Sequence, residues 1–476
     1  MLFNSIDFLF FFIAVTLLYF ALPHKYRWFL LLTASCYFYM AFVPIYILIL
    51  GFTIVVDYFA GILLENEKGS KRKMYLVASM VANIGVLAIF KYYNFFNGNL
   101  THLLHGAGYQ NPVPYLSILL PIGLSFHTFQ AMSYTIEVYR GHQKAERHFG
   151  IYALYVMFYP QLVAGPIERP QNLIPQLYQK HEFNYQNVKE GLTMMLWGLF
   201  KKIVIADRLA IYVNHVYSRY DDVSGMTLLV ATILFSFQMY CDFSGYSDIA
   251  IGAARVMGFK LMTNFRRPIF SKSTTEFWQR WHISLSSWFK DYLYFTLGGS
   301  RVAVPRWYLN LFIVFVISGL WHGANWTFII WGAINGFYVI FGIATKNIRN
   351  KFNHLIRLNK LPKLHTALQI LTVFILVALV RIFFRSPDVS TAIKIFKKIC
   401  SFSGKVWYSS PSMLAFILLS IFFLLVVEWK AEFYKGKISF FNNSNGFVRK
   451  LSYATVIILI LLMGVFDGGQ FIYFQF

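Results

Sequence analysis

Two histidines stand out among the few side chains in this sequence that are equipped for chemistry. His322 lies in "VISGLWHGANWTFIIWGAINGFY" (316–338), a run that reads as membrane-spanning apart from that one titratable ring. A charge in the middle of a bilayer costs roughly 2.5 kcal/mol or more, so intramembrane ionisable groups are few and often functional. A neutral imidazole costs less and serves as a general base for a hydroxyl proton. In a continuous helix, Ser318 (i−4), Asn325 (i+3) and Trp326 (i+4) share its face and can fix its tautomer. The same ring also suits a plainer task, a hydrogen bond linking two helices, and this segment alone does not choose.

His282 lies in "NFRRPIFSKSTTEFWQRWHISLSSWFKDYLYFTLGGSR" (264–301), which is amphipathic and charged. Ser273 followed by Glu276 predicts a capping box that starts a helix, and Gly298-Gly299 predicts its end. Trp278, His282, Leu285 and Phe289 then fall on one face, while Arg280 and Lys290 point elsewhere. Such a helix either lies at the interface or re-enters the bundle. Arg280, Lys290, Asp291 and Arg301 suit contact with an anionic or polar group. Arg266 and Arg267 do the same or act as membrane-edge anchors. Taken alone, a histidine among tryptophans reads as an interfacial packing residue.

A third element is "FSFQMYCDFSGYSDIAIGAARVMGF" (235–259), with Asp242 and Asp248 in an apolar setting. Six residues apart is poor helical registration for a paired-carboxylate site. Pairing with Arg255 or another intramembrane base fits better. His127 is a lone helix-face histidine. No phosphate-binding glycine loop, nucleophile elbow or H-E-x-x-H pair occurs.

The elements that must position these groups are membrane helices. The chain has 476 residues, of which 57% are hydrophobic, 20% aromatic and only 13% charged, with a mean hydropathy of +0.53. Soluble domains average about a quarter charged residues. Apolar stretches recur near 5–22, 28–62, 74–97, 115–136, 150–165, 192–215, 226–257, 308–318, 325–345, 366–384, 411–428 and 451–466. At about 20 residues per crossing they predict an all-α polytopic protein with roughly ten to twelve crossings. No linker or repeat marks a second domain, so 1–476 reads as one membrane domain. The segment "FYPQLVAGPIERPQNLIPQL" (158–177) has four prolines and cannot be one helix. Gly319–Gly323 and Gly332–Gly336 are G-x-x-x-G patterns that let helices approach closely.

The net charge of +23 sits between apolar runs, as in "KGSKRK" (68–73), "KNIRNKFNHLIRLNK" (346–360) and "FKKI" (396–399). That is the positive-inside pattern rather than a nucleic-acid-binding stripe. Cys36, Cys241 and Cys400 are far apart, which argues against a disulfide framework or zinc site and for buried free thiols. The first apolar run has its charge, Lys25 and Arg27, after it, predicting an uncleaved helix with the N-terminus outside.

"FWQRWHISLSSWFKDYLYFTLGG" and "SGLWHGANWTFIIWGAINGFY", with "PQLVAGPIERP", "FSFQMYCDFSGYSDIAIGAARVMGF" and "PIGLSFHTFQAMSYTIEVYRG", resemble the membrane-bound O-acyltransferase family. The similarity is to its bacterial, alginate O-acetyltransferase-like branch and runs from the first helix to the terminal "FIYFQF". The resemblance implies a ring of tilted helices and re-entrant segments around a buried passage. It implies that His322 is catalytic and that His282 stands at the second functional position. It also implies an acyl thioester donor such as acetyl-CoA, no metal, and a place in the bacterial inner membrane. The partners implied are an exported polysaccharide or cell-wall polymer and an extracytoplasmic acetyltransferase. His127 and Glu137 depart from the family pattern, where an aromatic residue and Asp are expected. Teichoic-acid-type D-alanyl transfer is the alternative within the family. Outside it, the intramembrane His and Asp residues also suit a transporter, or the chain could be a scaffold that recruits a soluble transferase.

Overall fold

The computed structural model describes residues 1–117, 121–434, 440–441 and 443–466. The terminal "FIYFQF" and part of the 115–136 stretch therefore lie outside the described residues. Among the described residues every regular element is helical. In lipid a helix satisfies its own backbone, which explains the absence of strands there.

Among the described residues eight helices are long and apolar enough to cross a membrane: Pro44–Asn66, Gly69–Gly106, Gly225–Val256, Val304–His322, Trp326–Ala344, Pro362–Arg385, Pro411–Phe433 and Gly446–Met463. Ile6–Ala21 is a shorter apolar helix. Several of the apolar stretches divide further, for identifiable reasons. The 28–62 stretch is two helices, His24–Met40 and Ile47–Asn66, parted at Pro44. After Phe149–Met157 the chain turns through the prolines until Pro170 opens the Pro170–Tyr178 helix. Across 192–215 the helix is interrupted by a π-helical turn, Phe200–Ala206, which holds Lys201 and Lys202.

Most spans bury only 17–39% of their most apolar window, and side chains such as Leu48 and Leu462 face outward as lipid-facing residues do. Gly225–Val256 buries 72% of its window. A helix enclosed to that degree can hold polar groups, and this one holds Asp242, Ser244 and Ser247, all buried.

By internal contacts the chain divides into two compact units. Among the described residues one comprises Met1–Met195 with Asp248–Met262, and the other Leu196–Ser247 with those that follow Met262. Two of the boundaries fall inside helices, Tyr185–Leu199 and Gly225–Val256, and the third, after Met262, falls between elements. In the first unit a buried carboxylate ties three helices together. Ser79 Oγ donates to Asp57 Oδ1 at 2.5 Å, Asn83 Nδ2 reaches both carboxylate oxygens, and Ser79 also bonds Thr135 at 3.0 Å. A buried carboxylate needs such donors in place of water. His127 is buried in this unit against Tyr39, with ring centroids 5.8 Å apart. Glu137 accepts from Gln171 at 2.6 Å and pairs with His142 at 3.0 Å.

In the second unit the Val304–His322 and Trp326–Ala344 helices form a hairpin in backbone contact. A Cβ on Gly319 would lie 2.3 Å from the Phe328 carbonyl oxygen and 3.1 Å from Gly332 Cα. One on Gly332 would lie 2.3 Å from the Phe315 carbonyl oxygen. The spaced glycines thus act as the close-approach pattern predicts.

Candidate active site

His322 is the last residue of its helix. Gly323 is extended (φ −164°, ψ 151°), and Asn325 caps the next helix, its side chain accepting from Thr327 N at 3.0 Å. The expectation that Asn325 and Trp326 share the face of His322 is therefore corrected: they belong to the other arm of the hairpin. Asn is a strong N-cap residue, and its preference ends the first helix and starts the second. Gly323 is required here, because a Cβ would meet the Phe328 ring at 2.1 Å.

The His322 ring is buried in an aromatic box. Its centroid lies 4.9 Å from Trp321, 5.0 Å from Trp331 and 5.4 Å from Phe384. Trp331 comes from the second arm of the hairpin, and Phe384 from Pro362–Arg385. Such a box excludes water and leaves little polar competition for a reacting hydroxyl.

The helix expected from Ser273 onward is broken at His282, which corrects its placement on a continuous face. Thr274–Arg280 and Ile283–Phe289 are separate, and His282 takes the left-handed conformation (φ 44°, ψ 56°). Ser273 Oγ does accept from Glu276 N at 3.1 Å, but the Glu276 carboxylate returns to Lys272 N instead of to the cap itself. A non-glycine residue in the left-handed region is strained by roughly 1–3 kcal/mol and needs support. Asn264 supplies it: its carbonyl accepts from Ile283 N at 2.8 Å, and its side-chain oxygen lies 3.1 Å from His282 Nδ1.

Around His282 the walls are aromatic. Phe243 of Gly225–Val256 stands 4.6 Å away edge-on, and Trp321 is 6.4 Å away. Trp321 thus touches both candidate histidines. Trp278 packs on Phe315 at 5.3 Å and Trp331 at 5.7 Å, seating the Thr274–Arg280 helix on the hairpin. His282 lies between the spans, and burial pushes its pKa down to about 3, so it stays neutral.

Sequence reasoning missed an ion cluster in the same unit. Lys202 Nζ lies 2.7 Å from both Asp207 and Asp242, and all three side chains are buried. Lys201 donates to Ser244 at 2.9 Å, and Tyr240 to Glu428 at 2.6 Å. Asp242 thus has an intramembrane base, but that base is Lys202. Arg255 pairs with Glu190 in the other unit. The signal lay in "FKKIVIAD" (200–207), two lysines and an aspartate inside an apolar run. Arg381 was missed as well; its guanidinium lies 4.7 Å from the Trp281 ring and donates to Ser236 O at 3.2 Å.

Other expectations resolve differently. Arg280 and Arg267 do not offer free charge to an anion. Both bind Glu432, at 2.9 and 2.8 Å, and Arg280 also binds Glu276 at 2.5 Å. The cysteines are free thiols, but Cys400 is exposed and Cys36 only half-buried, leaving Cys241 as the buried one.

With the site in view, comparison with known proteins assigns the chain. The model of the membrane-bound O-acyltransferase family matches residues 142–383, a range that contains His282, His322, Asn264 and the Lys202 cluster. The chain belongs to this family. As a membrane-bound O-acyltransferase it is similar to the probable alginate O-acetylase of Pseudomonas aeruginosa, at 37% identity over 84% of this chain and 75% of that one. It is also similar to the peptidoglycan O-acetyltransferase of Helicobacter pylori, at 34% identity over 79% of this chain and 74% of the relative. The teichoic acid D-alanyltransferase of Bacillus subtilis matches at 28% over 44% of this chain and 56% of its own. The protein is thus a multi-pass membrane O-acyltransferase.

Proposed function

We propose that this enzyme moves an acetyl group from a cytosolic acyl thioester, with acetyl-CoA as the donor, for O-acetylation of an exported polysaccharide or cell-wall polymer at the bacterial inner membrane. Similarity to an alginate O-acetylase and a peptidoglycan O-acetyltransferase, each over most of the chain, supports the acetyl group and an extracytoplasmic polymer. The match to the D-alanyltransferase covers less than half of the chain.

The observation that carries the mechanism is the buried His322 ring at a helix end, closed in by Trp321, Trp331 and Phe384. In our reading, His322 removes the proton of the accepting hydroxyl as its oxygen attacks the thioester carbonyl. The tetrahedral intermediate collapses by breaking the C–S bond, and the imidazolium returns its proton to the departing thiolate. His282, on the far side of Trp321, positions the reactants. The hydroxyl belongs to the polymer or to an extracytoplasmic acetyltransferase partner. The basic segments between spans attract the phosphates of the donor.

The test is reconstitution in proteoliposomes with acetyl-CoA. Release of free CoA that depends on the protein and on an added acceptor polymer supports acyl transfer. Solute flux without thioester consumption would support a transporter and overturn the proposal.

A further inference from the structure

Asn264 does more than brace a bend. Its side-chain oxygen accepts the backbone N–H of Ser284 at 3.3 Å and the Ser284 hydroxyl at 3.0 Å. A backbone N–H can only donate, so the atom it faces is the amide oxygen and not the amide nitrogen. The amide nitrogen in turn donates to Ser247 Oγ at 3.0 Å, on the enclosed Gly225–Val256 helix. The 3.1 Å contact between that amide oxygen and His282 Nδ1 then needs a hydrogen on the histidine. A neutral imidazole has one N–H, and with it on Nδ1 the lone pair is on Nε2. Asn264, Ser247 and Ser284 are all buried, so water does not compete for these bonds.

We infer that Asn264 is a positioning residue that fixes His282 in the Nδ1–H tautomer, so that Nε2 acts in the acyl transfer as a hydrogen-bond acceptor and not as a donor. This rests on the proposed role of His282. Any group that hydrogen-bonds to Nε2 then has to present an N–H or O–H to it. The arrangement follows the general pattern in which a group at one ring nitrogen sets what the other can do.

Asn264→Asp separates positioning from support. Both carboxylate oxygens accept, so the bonds from Ser284 and Nδ1–H persist, and the Ser247 hydroxyl can turn to donate. The added element is a negative charge beside Nδ1–H, which raises the affinity of His282 for a second proton. Other elements pack Phe243, Phe265 and Trp321 onto the ring. The charged or titratable groups beside those are Asp242, held by Lys202, Arg381, over Trp281, and His322, against Trp321. The substitution leaves each of these in place.

Two measurements decide the matter. In the unmutated protein labelled with ¹⁵N-histidine, solid-state NMR should show a protonated Nδ1 and an unprotonated Nε2 for the signal lost in His282→Gln. The opposite tautomer overturns the inference and needs no variant at position 264 to fold. Exchange of the His282 C2 hydrogen, followed by mass spectrometry against pH, should shift its midpoint up by about 1–3 units in Asn264→Asp. The acid limb of acetyl-CoA turnover should move with it. An unmoved midpoint overturns the inference. A moved midpoint without any acetyl-CoA turnover in the unmutated protein overturns the proposed function and leaves the tautomer assignment standing.

Discussion

Trp321 packs against both His282 and His322, its ring centroid 6.4 Å from the first and 4.9 Å from the second. The two rings therefore share a wall. Removing that wall should disturb the relation between them without touching either. Trp321→Ala is expected to lower turnover by at least tenfold and Trp321→Phe by much less. Initial rates of CoA release, with protein levels matched by immunoblot, check this.

His322→Ala should abolish transfer while the protein still inserts and accumulates. The hairpin is held by glycine contacts to backbone and to Phe328 that do not involve the ring, so loss of the imidazole need not unfold it. Polymer acetylation in a strain carrying only the variant is the readout, and full acetylation would remove His322 from the mechanism.

Gly319→Leu should destabilise the hairpin by about 1–3 kcal/mol or more, because the atoms in the way are backbone and cannot swing aside. Gly85→Ala is the internal contrast, since a Cβ there meets nothing within 4 Å. Thermal midpoints in detergent should separate the two clearly. Equal midpoints would mean that the hairpin is packed more loosely than described.

Lys202→Met leaves two buried carboxylates without their cation and should cost about 3–5 kcal/mol. The triple change Lys202→Met, Asp207→Asn and Asp242→Asn should recover part of that loss. If the single variant is as stable as the unmutated protein, the cluster is not a structural ion network.

Burial holds the His282 pKa down at about 3, against roughly 6.5 for a free imidazole. Between those values the unfolded chain binds a proton that the folded chain does not. Stability should therefore fall as pH drops below about 6.5, and His282→Gln should flatten that slope. In the same range the unmutated enzyme should show no loss of rate attributable to His282. Melting curves at stepped pH measure the first effect, and turnover profiles the second.

The helical class and the spaced glycines are legible in the sequence because each depends on local composition or short-range spacing. Where the reading failed, a single residue had switched from helix interior to cap or bend. Asn325 reads as a helix neighbour of His322 at i+3, yet its capping preference places it in the following helix. His282 reads as the next turn after Trp278, yet bonds from Asn264, distant in sequence, bend the chain there. The Lys202 cluster joins residues across 40 positions (242 − 202). Apolar periodicity reports which face is lipid-like, but not which polar groups meet inside.

The hairpin that ends in His322 also constrains how this gene can vary in length. Each residue added to a helical arm rotates everything beyond it by about 100° and advances it by about 1.5 Å. With Gly319 against Gly332 on facing backbones, neither arm can absorb such a slip by sliding. Insertions and deletions between Val304 and Ala344 should therefore be among the least tolerated in the chain. The exposed Lys346–Leu355 helix just beyond, with no buried residue, is where an epitope tag or reporter can be spliced without moving the histidine.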